Sequence, residues 1–297
     1  MSERFNFYDI YGYLIPGLTL VTLLWLPFGI IQPSSLNAGL GAAAAAVLVG
    51  YIVGHFVAAT AGGLISAKTA RSKDGQPAFP SIVLLNPSDD KLNPELKTRL
   101  AKNVAASFSL DLHVGEEADD HIGNIRQAAF FLCRPVVNKI TAYPEQFEGL
   151  YAMMSSVAID FALGFAYMLG WTAACYVNFA DATLVAYAGI ALALLAVVAF
   201  AVRDARTPRN AVSALALLFF CCAYVLGLQT AIPPDRMPVF PIIAALCLAA
   251  SFRFKSQYRY FANEFAKAVW TYFPDTPASS LGHGAVRKDV GEGASGR

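Results

Sequence analysis

The sequence predicts an all-α polytopic membrane protein with about six transmembrane helices and a small helical cytosolic insert. Of its 297 residues, 56% are hydrophobic and 14% are charged, against about 45–50% and roughly 25% in soluble domains. The hydrophobic excess lies in stretches of about 20 residues, the length of a bilayer-crossing helix. A third observation gives an orientation: of the 22 Lys and Arg residues, only Arg236 falls in a segment predicted to lie outside the cell.

The connections between the apolar stretches alternate between segments that contain Lys and Arg and short segments that are almost free of them. Cytoplasmic loops hold the excess of Lys and Arg, so the basic side is the cytosol. Both termini are therefore predicted to be cytoplasmic, in a bacterial inner (plasma) membrane. The predicted spans are Tyr13–Ile31, Gly39–Ile65, Tyr151–Val177, Thr183–Val202, Ala211–Ile232 and Val239–Phe252.

The second and third spans carry small residues at every fourth position. In lipid, where no hydrophobic effect drives association, small residues at this spacing let helix backbones approach closely. We therefore expect these two spans to pack against each other through their small-residue stripes. The packing positions are Gly50, Gly54 and Ala58 in the second span, and Ala162, Ala166 and Gly170 in the third.

The segment between these spans is predicted to form a helical cytosolic insert. Asn93 before Pro94 is typical of an N-cap and first helical residue, and this helix is expected to run to Phe108. A second helix is expected to start at Asp119–Asp120 and run towards Pro135, and a third at Pro144–Glu145 to continue into the third span. The apolar run Ser81–Leu85 fits either a strand or an apolar contact.

A further helix is predicted after the last span, with aromatic residues on one face and polar or basic residues on the other. This pattern suits a helix that lies among lipid headgroups, although packing on the insert remains an alternative. The predicted organisation is 1–66 for the first two spans, 67–150 for the insert, 151–252 for four spans, 253–273 for the amphipathic cytosolic helix and 274–297 for a disordered tail.

Two ionisable residues, His55 and Asp160, fall inside predicted spans. An ionisable group within the bilayer is costly and suggests a function. Both lie at a similar predicted depth, so a hydrogen bond between them is one hypothesis. The favoured interpretation is structural, with Asp160 satisfied by a tyrosine or a backbone group rather than serving as a proton or ion relay.

The remaining polar motifs favour neither a cofactor nor catalysis. Carboxylates and histidines are concentrated between Asp111 and His121 and would suit a divalent cation, but a solvated loop with Asp119 as a helix cap is favoured. We therefore predict no metal site, no cofactor and no catalytic residue. The five cysteines lack C-x-x-C spacing and are expected to be small buried hydrophobes.

Short motifs resemble those of uncharacterised bacterial multi-span inner-membrane proteins. They are the N-terminal YGYLIPG motif at Tyr11–Gly17, the sequence YIVGH at Tyr51–His55, and a group formed by Arg259, Tyr260, Asn263 and Glu264. The resemblance covers short stretches near the two ends of the chain. It implies a membrane location and no particular activity.

The function that the sequence favours is that of a non-enzymatic integral inner-membrane protein, acting as an anchor, sensor or effector through its cytosolic insert and tail. A small transporter or an oligomeric channel is the alternative, and a membrane enzyme is the third. The expected partners are the lipid bilayer, a cytosolic protein and further copies of the chain. A net charge of +1 speaks against a nucleic-acid partner, because phosphate binding needs a basic surface.

Overall fold

The computed structural model describes residues 9–33, 39–65, 68–71, 75–176 and 208–275. The predicted fourth span, Thr183–Val202, lies outside the described residues, as does most of the predicted tail. A π-helical turn, Asp9–Leu14, precedes the first helix. The helices are α1 Ile15–Ile31, α2 Leu40–Leu64, α3 Pro80–Val83, α4 Pro94–Phe108, α5 Asp120–Ile140, α6 Tyr143–Tyr176, α7 Pro208–Gln229 and α8 Val239–Tyr272; the strands are β1 Ala70–Arg71 and β2 Pro77–Ala78.

The chain divides into two compact units. The first, here called the apolar unit, consists of Met1–Ala67 and Gln146–Ala262. The second, here called the polar-core unit, consists of Lys68–Glu145 and Asn263–Arg297. Each unit is therefore built from two separate stretches of the chain.

Within the described residues, four helical stretches are long and apolar enough to cross a membrane: Asp9–Ile31, Gly41–Gly63, Tyr143–Tyr176 and Val239–Asp275. The fold is thus all-α, with helices of membrane-spanning length and composition. The predicted fifth span corresponds to α7, whose apolar part is shorter, Leu215–Gln229.

The glycines of α2 make their closest contacts with the N-terminal helix. A Cβ atom at Gly54 would overlap the carbonyl group of Tyr13, and one at Gly17 would overlap that of Gly50. Glycine at these positions lets the two backbones touch. The prediction that the glycines of the second span pack against the small-residue stripe of the third is therefore wrong, because α1 occupies that side of α2.

The small-residue stripe of α6 also has another partner. A Cβ atom at Gly170 would overlap the carbonyl oxygen of Phe220 and lie 2.7 Å from the Cβ of Ala223 on α7. Helices α2 and α6 share a buried cluster in which Val57 and Ala61 of α2 pack with Ile159 and Leu163 of α6 and with Leu20 of α1. By contrast, Ala58, Ala162 and Ala166 are half-buried.

The helix starts in the polar-core unit follow the predicted capping chemistry. The side chain of Asn93 accepts a hydrogen bond from the backbone N–H of Glu95, and α4 runs from Pro94 to Phe108 as predicted. Asp119 accepts from the N–H of Ile122 and starts α5, which passes Pro135 and ends at Ile140. The run Ser81–Leu85 is not a strand: it overlaps the short helix α3, next to the two-residue β1–β2 hairpin.

The last predicted span and the amphipathic helix after it form one continuous helix, α8, of 34 residues. Helix α6 has the same length and begins near Pro144, which confirms the predicted continuation into the third span. At about 1.5 Å per residue, each is roughly 51 Å long, against a hydrocarbon core of about 30 Å. Part of each helix must therefore extend beyond the core of any membrane that it crosses.

The C-terminal part of α8 packs within the polar-core unit. Its buried residues include Phe265, Val269 and Trp270. The Trp270 indole N–H donates to the backbone oxygen of Ser81 at 3.0 Å, and the ring of Phe130 lies 5.3 Å from that of Trp270. Of the two arrangements that the sequence left open for this amphipathic face, packing on the insert is the one observed for these residues.

Candidate functional site

A fully buried arginine organises the polar-core unit. Arg126 on α5 has no exposed surface, and its guanidinium group donates five hydrogen bonds. Burial lowers the pKa of Arg126 to about 10, while Glu117, Glu116 and Asp119 act in the opposite direction, so the side chain remains a cation at neutral pH. Its acceptors are the backbone oxygens of Ile82 (3.1 Å), Leu112 (2.9 Å), His113 (2.7 Å) and Glu116 (2.8 Å), and the side-chain oxygen of Asn86 (2.5 Å).

Asn86 joins this arginine to a second buried cation. The Lys97 ammonium group donates to the backbone oxygens of Asn86 and Asp89, at 2.6 Å each. Burial lowers the pKa of Lys97, and the nearby Asp89 carboxylate acts in the opposite direction. The side-chain oxygen of Asn86 also accepts from the N–H of Ala118 at 3.2 Å. Three segments of chain therefore meet at Asn86.

The acidic loop before α5 is held by its own side chains and by Arg126. Asp111 accepts from the N–H of His113 at 3.0 Å, and the His113 ring lies 3.1 Å from the Glu116 carboxylate. His113 has a φ of 47°, a left-handed conformation that is uncommon outside glycine. Among the described residues, no three His, Cys, Asp or Glu side chains are grouped so that they could hold a metal ion.

A cavity of about 430 Å³ lies beside this network, bounded by β2, α3 and the first turns of α5. Its volume falls within the range of small-molecule sites, about 300–1,000 Å³. Phe79, Ile82 and Val83 provide apolar surface, and the Lys68 ammonium group lies 5.8 Å from the centre of the Phe79 ring. The polar side chains that line it belong to Lys68, Gln76, Asn86, Asp119, Asp120 and Asn124.

The polar side chains around the cavity differ in the hydrogen bonds that they already make. Asp119 is already engaged as the N-cap of α5, and Asn86 is engaged by Arg126. Gln76, Asp120 and Asn124 line the cavity from exposed positions.

The two intramembrane candidates do not form the pair that the sequence suggested. The His55 ring stacks on Tyr13, with ring centroids 3.9 Å apart, and its side chain is exposed. Asp160 has no exposed surface, and neither carboxylate oxygen has a hydrogen-bond partner among the described residues. The expected tyrosine or backbone partner of Asp160 is therefore not found in the part of the chain that the structure describes.

The cysteines carry no paired site in the described residues. All five are free thiols; Cys133, Cys221 and Cys247 are buried, and Cys175 and Cys222 are half-buried. In the polar-core unit, burial raises the pKa of the Cys133 thiol far above its usual range. A thiol that stays protonated is a poor nucleophile and a poor metal ligand, so Cys133 fits the predicted small buried hydrophobe.

Sequence reasoning did not identify Arg126, Lys97 or Asn86 as organising residues. A signal was present in α5, where Ile122, Arg126, Cys133 and Val137 share the buried face. An arginine in the apolar stripe of an amphipathic helix is unusual, because arginines are almost never fully buried unless paired.

In comparisons with known proteins, the chain matches no family model, no curated protein and no solved structure.

Proposed function

We propose that the protein is a non-enzymatic sensor of the bacterial inner membrane, which binds a small polar molecule in the cavity beside α5. The observation that carries this proposal is the position of the cavity against a hydrogen-bonded polar core. Gln76 and Asn124 line the cavity, while Arg126 holds the backbone of the loop before α5 through the oxygens of His113 and Glu116. A site on a rigid support is preorganised, which reduces the free-energy cost of binding.

In this proposal the apolar helices anchor the chain with six spans and both termini in the cytosol. The four helices of membrane-spanning length support a membrane location, and the distribution of Lys and Arg supports the orientation. The polar-core unit would then face the cytosol, where metabolites and soluble proteins are accessible. The predicted domain limits at 67–150 and 253–273 belong to the same proposal.

A small transporter or an oligomeric channel is the second candidate, and Asp160 is the observation that favours it. A buried carboxylate in a membrane helix is a frequent component of ion and proton pathways. However, the buried polar side chains of the apolar unit, among the described residues, are Ser155, Ser156 and Asp160, all on α6. A translocation path needs polar groups from several helices, so the sensor is the better supported function.

Native mass spectrometry of the full chain, released from membranes of the producing cell, tests the sensor. Asn124→Trp places a large ring in the cavity from an exposed position on α5, and His121→Trp is a matched control on the same helix that does not line the cavity. We expect a bound small molecule on the wild type and on His121→Trp, and its loss from Asn124→Trp. Identical spectra for the three proteins would contradict the proposed site.

A further inference from the structure

Asp160 is buried without a partner at the centre of a membrane-length helix. It lies 17 residues after the start of α6 and 16 before its end. Its relative exposure is 0%, and both carboxylate oxygens lack hydrogen-bond partners among the described residues. Arg126, equally buried, has five acceptors. Unlike Arg126, Asp160 therefore has no described neighbour that would stabilise the negative charge of its ionised carboxylate.

Two other helices cover the face of α6 that bears Asp160. Gly164 lies one turn further on and on the same face; a Cβ atom there would be 2.9 Å from Leu23 on α1 and 3.6 Å from the Cys247 sulfur on α8. Near the same level, the Ser251 hydroxyl of α8 donates to the backbone oxygen of Ala158 at 2.8 Å. Asp160 is thus enclosed by protein rather than directed towards lipid.

The described ionisable groups on the surrounding helices provide no cation for Asp160. Helix α1 contains no ionisable residue. On α8, Cys247 lies beside Gly164 on the same face of α6, while Arg253 and Lys255 are exposed. Thiols and phenols have ordinary pKa values of about 8.5 and 10 and are neutral at pH 7. The other ionisable residues on α2, α6, α7 and α8 in this unit are Tyr51, His55, Glu148, Tyr151, Tyr167, Cys175, Tyr176, Arg209, Cys221, Cys222, Tyr224, Tyr258, Arg259 and Tyr260.

We propose that Asp160 is a proton-binding site of the apolar unit. An ionised carboxylate without a partner is far more costly in this position than the neutral acid. Release of the proton converts the carboxylic acid to a carboxylate and a free proton. Release therefore requires the covering helices α1 and α8 to move enough to admit water or a cation. This inference does not depend on the cavity in the polar-core unit.

Infrared spectroscopy of the full chain in lipid nanodiscs tests this assignment directly. The probe is the carbonyl stretch of a protonated carboxylic acid, recorded at about pH 8, where an exposed aspartate of pKa about 3.9 is ionised. With ¹³C-labelled aspartate, the band must shift if an aspartate produces it. We expect a shifted band for the wild type and for the control Asp90→Asn, which alters an exposed carboxylate, and its absence from Asp160→Asn.

Two results would overturn the proposal. One is a wild-type spectrum at about pH 8 without any aspartic acid band; the other is a band that persists in Asp160→Asn. If the Asn variant fails to fold, Asp160→Glu takes its place, because the glutamate keeps an acid at this position without the aspartate label. We then expect the ¹³C-shifted band to disappear, and its persistence in Asp160→Glu would overturn the assignment.

Discussion

Replacement of Arg126 by methionine tests whether this residue organises the polar-core unit. The change keeps much of the side-chain volume but removes all five donated hydrogen bonds. The backbone oxygens of Leu112 and Glu116 lose their donor, whereas the oxygens of Ile82, His113 and Asn86 each keep one other donor. Each buried acceptor left unsatisfied costs about 1–3 kcal/mol. These costs are not additive, because the loop can relax towards water, so we expect a loss of about 3–5 kcal/mol in the local stability of this unit.

Hydrogen–deuterium exchange measures this loss residue by residue in the full chain. At tenfold per 1.4 kcal/mol, protection of the backbone amides of α5 should fall by about two to three and a half orders of magnitude. Lys139→Met is the matched control, since it removes an exposed cation from the same helix. If Arg126→Met and Lys139→Met show equal protection, the inferred role of Arg126 is incorrect.

Three further predictions concern packing and topology. Gly54→Ala should lower the free energy of unfolding by about 1–3 kcal/mol, because the added Cβ overlaps the Tyr13 carbonyl. Gly62→Ala is the control, since the space around Gly62 is open. Equal melting temperatures for the two variants would contradict the close contact at Gly54. Trp270→Phe should lower the local stability of the polar-core unit by about 1 kcal/mol, because the hydrogen bond from the indole to Ser81 is lost. Unchanged hydrogen–deuterium exchange in this unit would contradict a stabilising role for that bond. A topology reporter at Asp235 should be periplasmic and one at Gly75 cytosolic; a cytosolic Asp235 would remove one of the last two predicted spans.

Local sequence chemistry predicted the helix starts of the polar-core unit well. Asn93 and Asp119 act as caps because their side chains reach N–H groups within three residues, an interaction that depends only on nearby sequence. The apolar helices were also recognisable, since length and hydrophobicity alone decide whether a helix can span a bilayer.

Contacts between distant segments were harder to predict. The stripe of small residues in α2 indicated close helix packing but carried no information on the partner. That partner is the N-terminal helical stretch Asp9–Ile31, through Tyr13 in its π-helical turn and Gly17 in α1. The network around Arg126 depends on backbone oxygens, and any residue type can present these. The cavity also arises from this tertiary arrangement of α3 and α5, so no motif indicates it.

Hydrogen–deuterium exchange of the full chain in nanodiscs, with and without the small-molecule fraction of the producing cell, tests the sensor function most directly. The proposal predicts added protection at the cavity, in Gln76–Phe79 and Asp119–Asn124, and none in Asn124→Trp. The His121→Trp control should respond like the wild type. Added protection confined to α6 around Asp160, with none at the cavity, would contradict the sensor and favour transport.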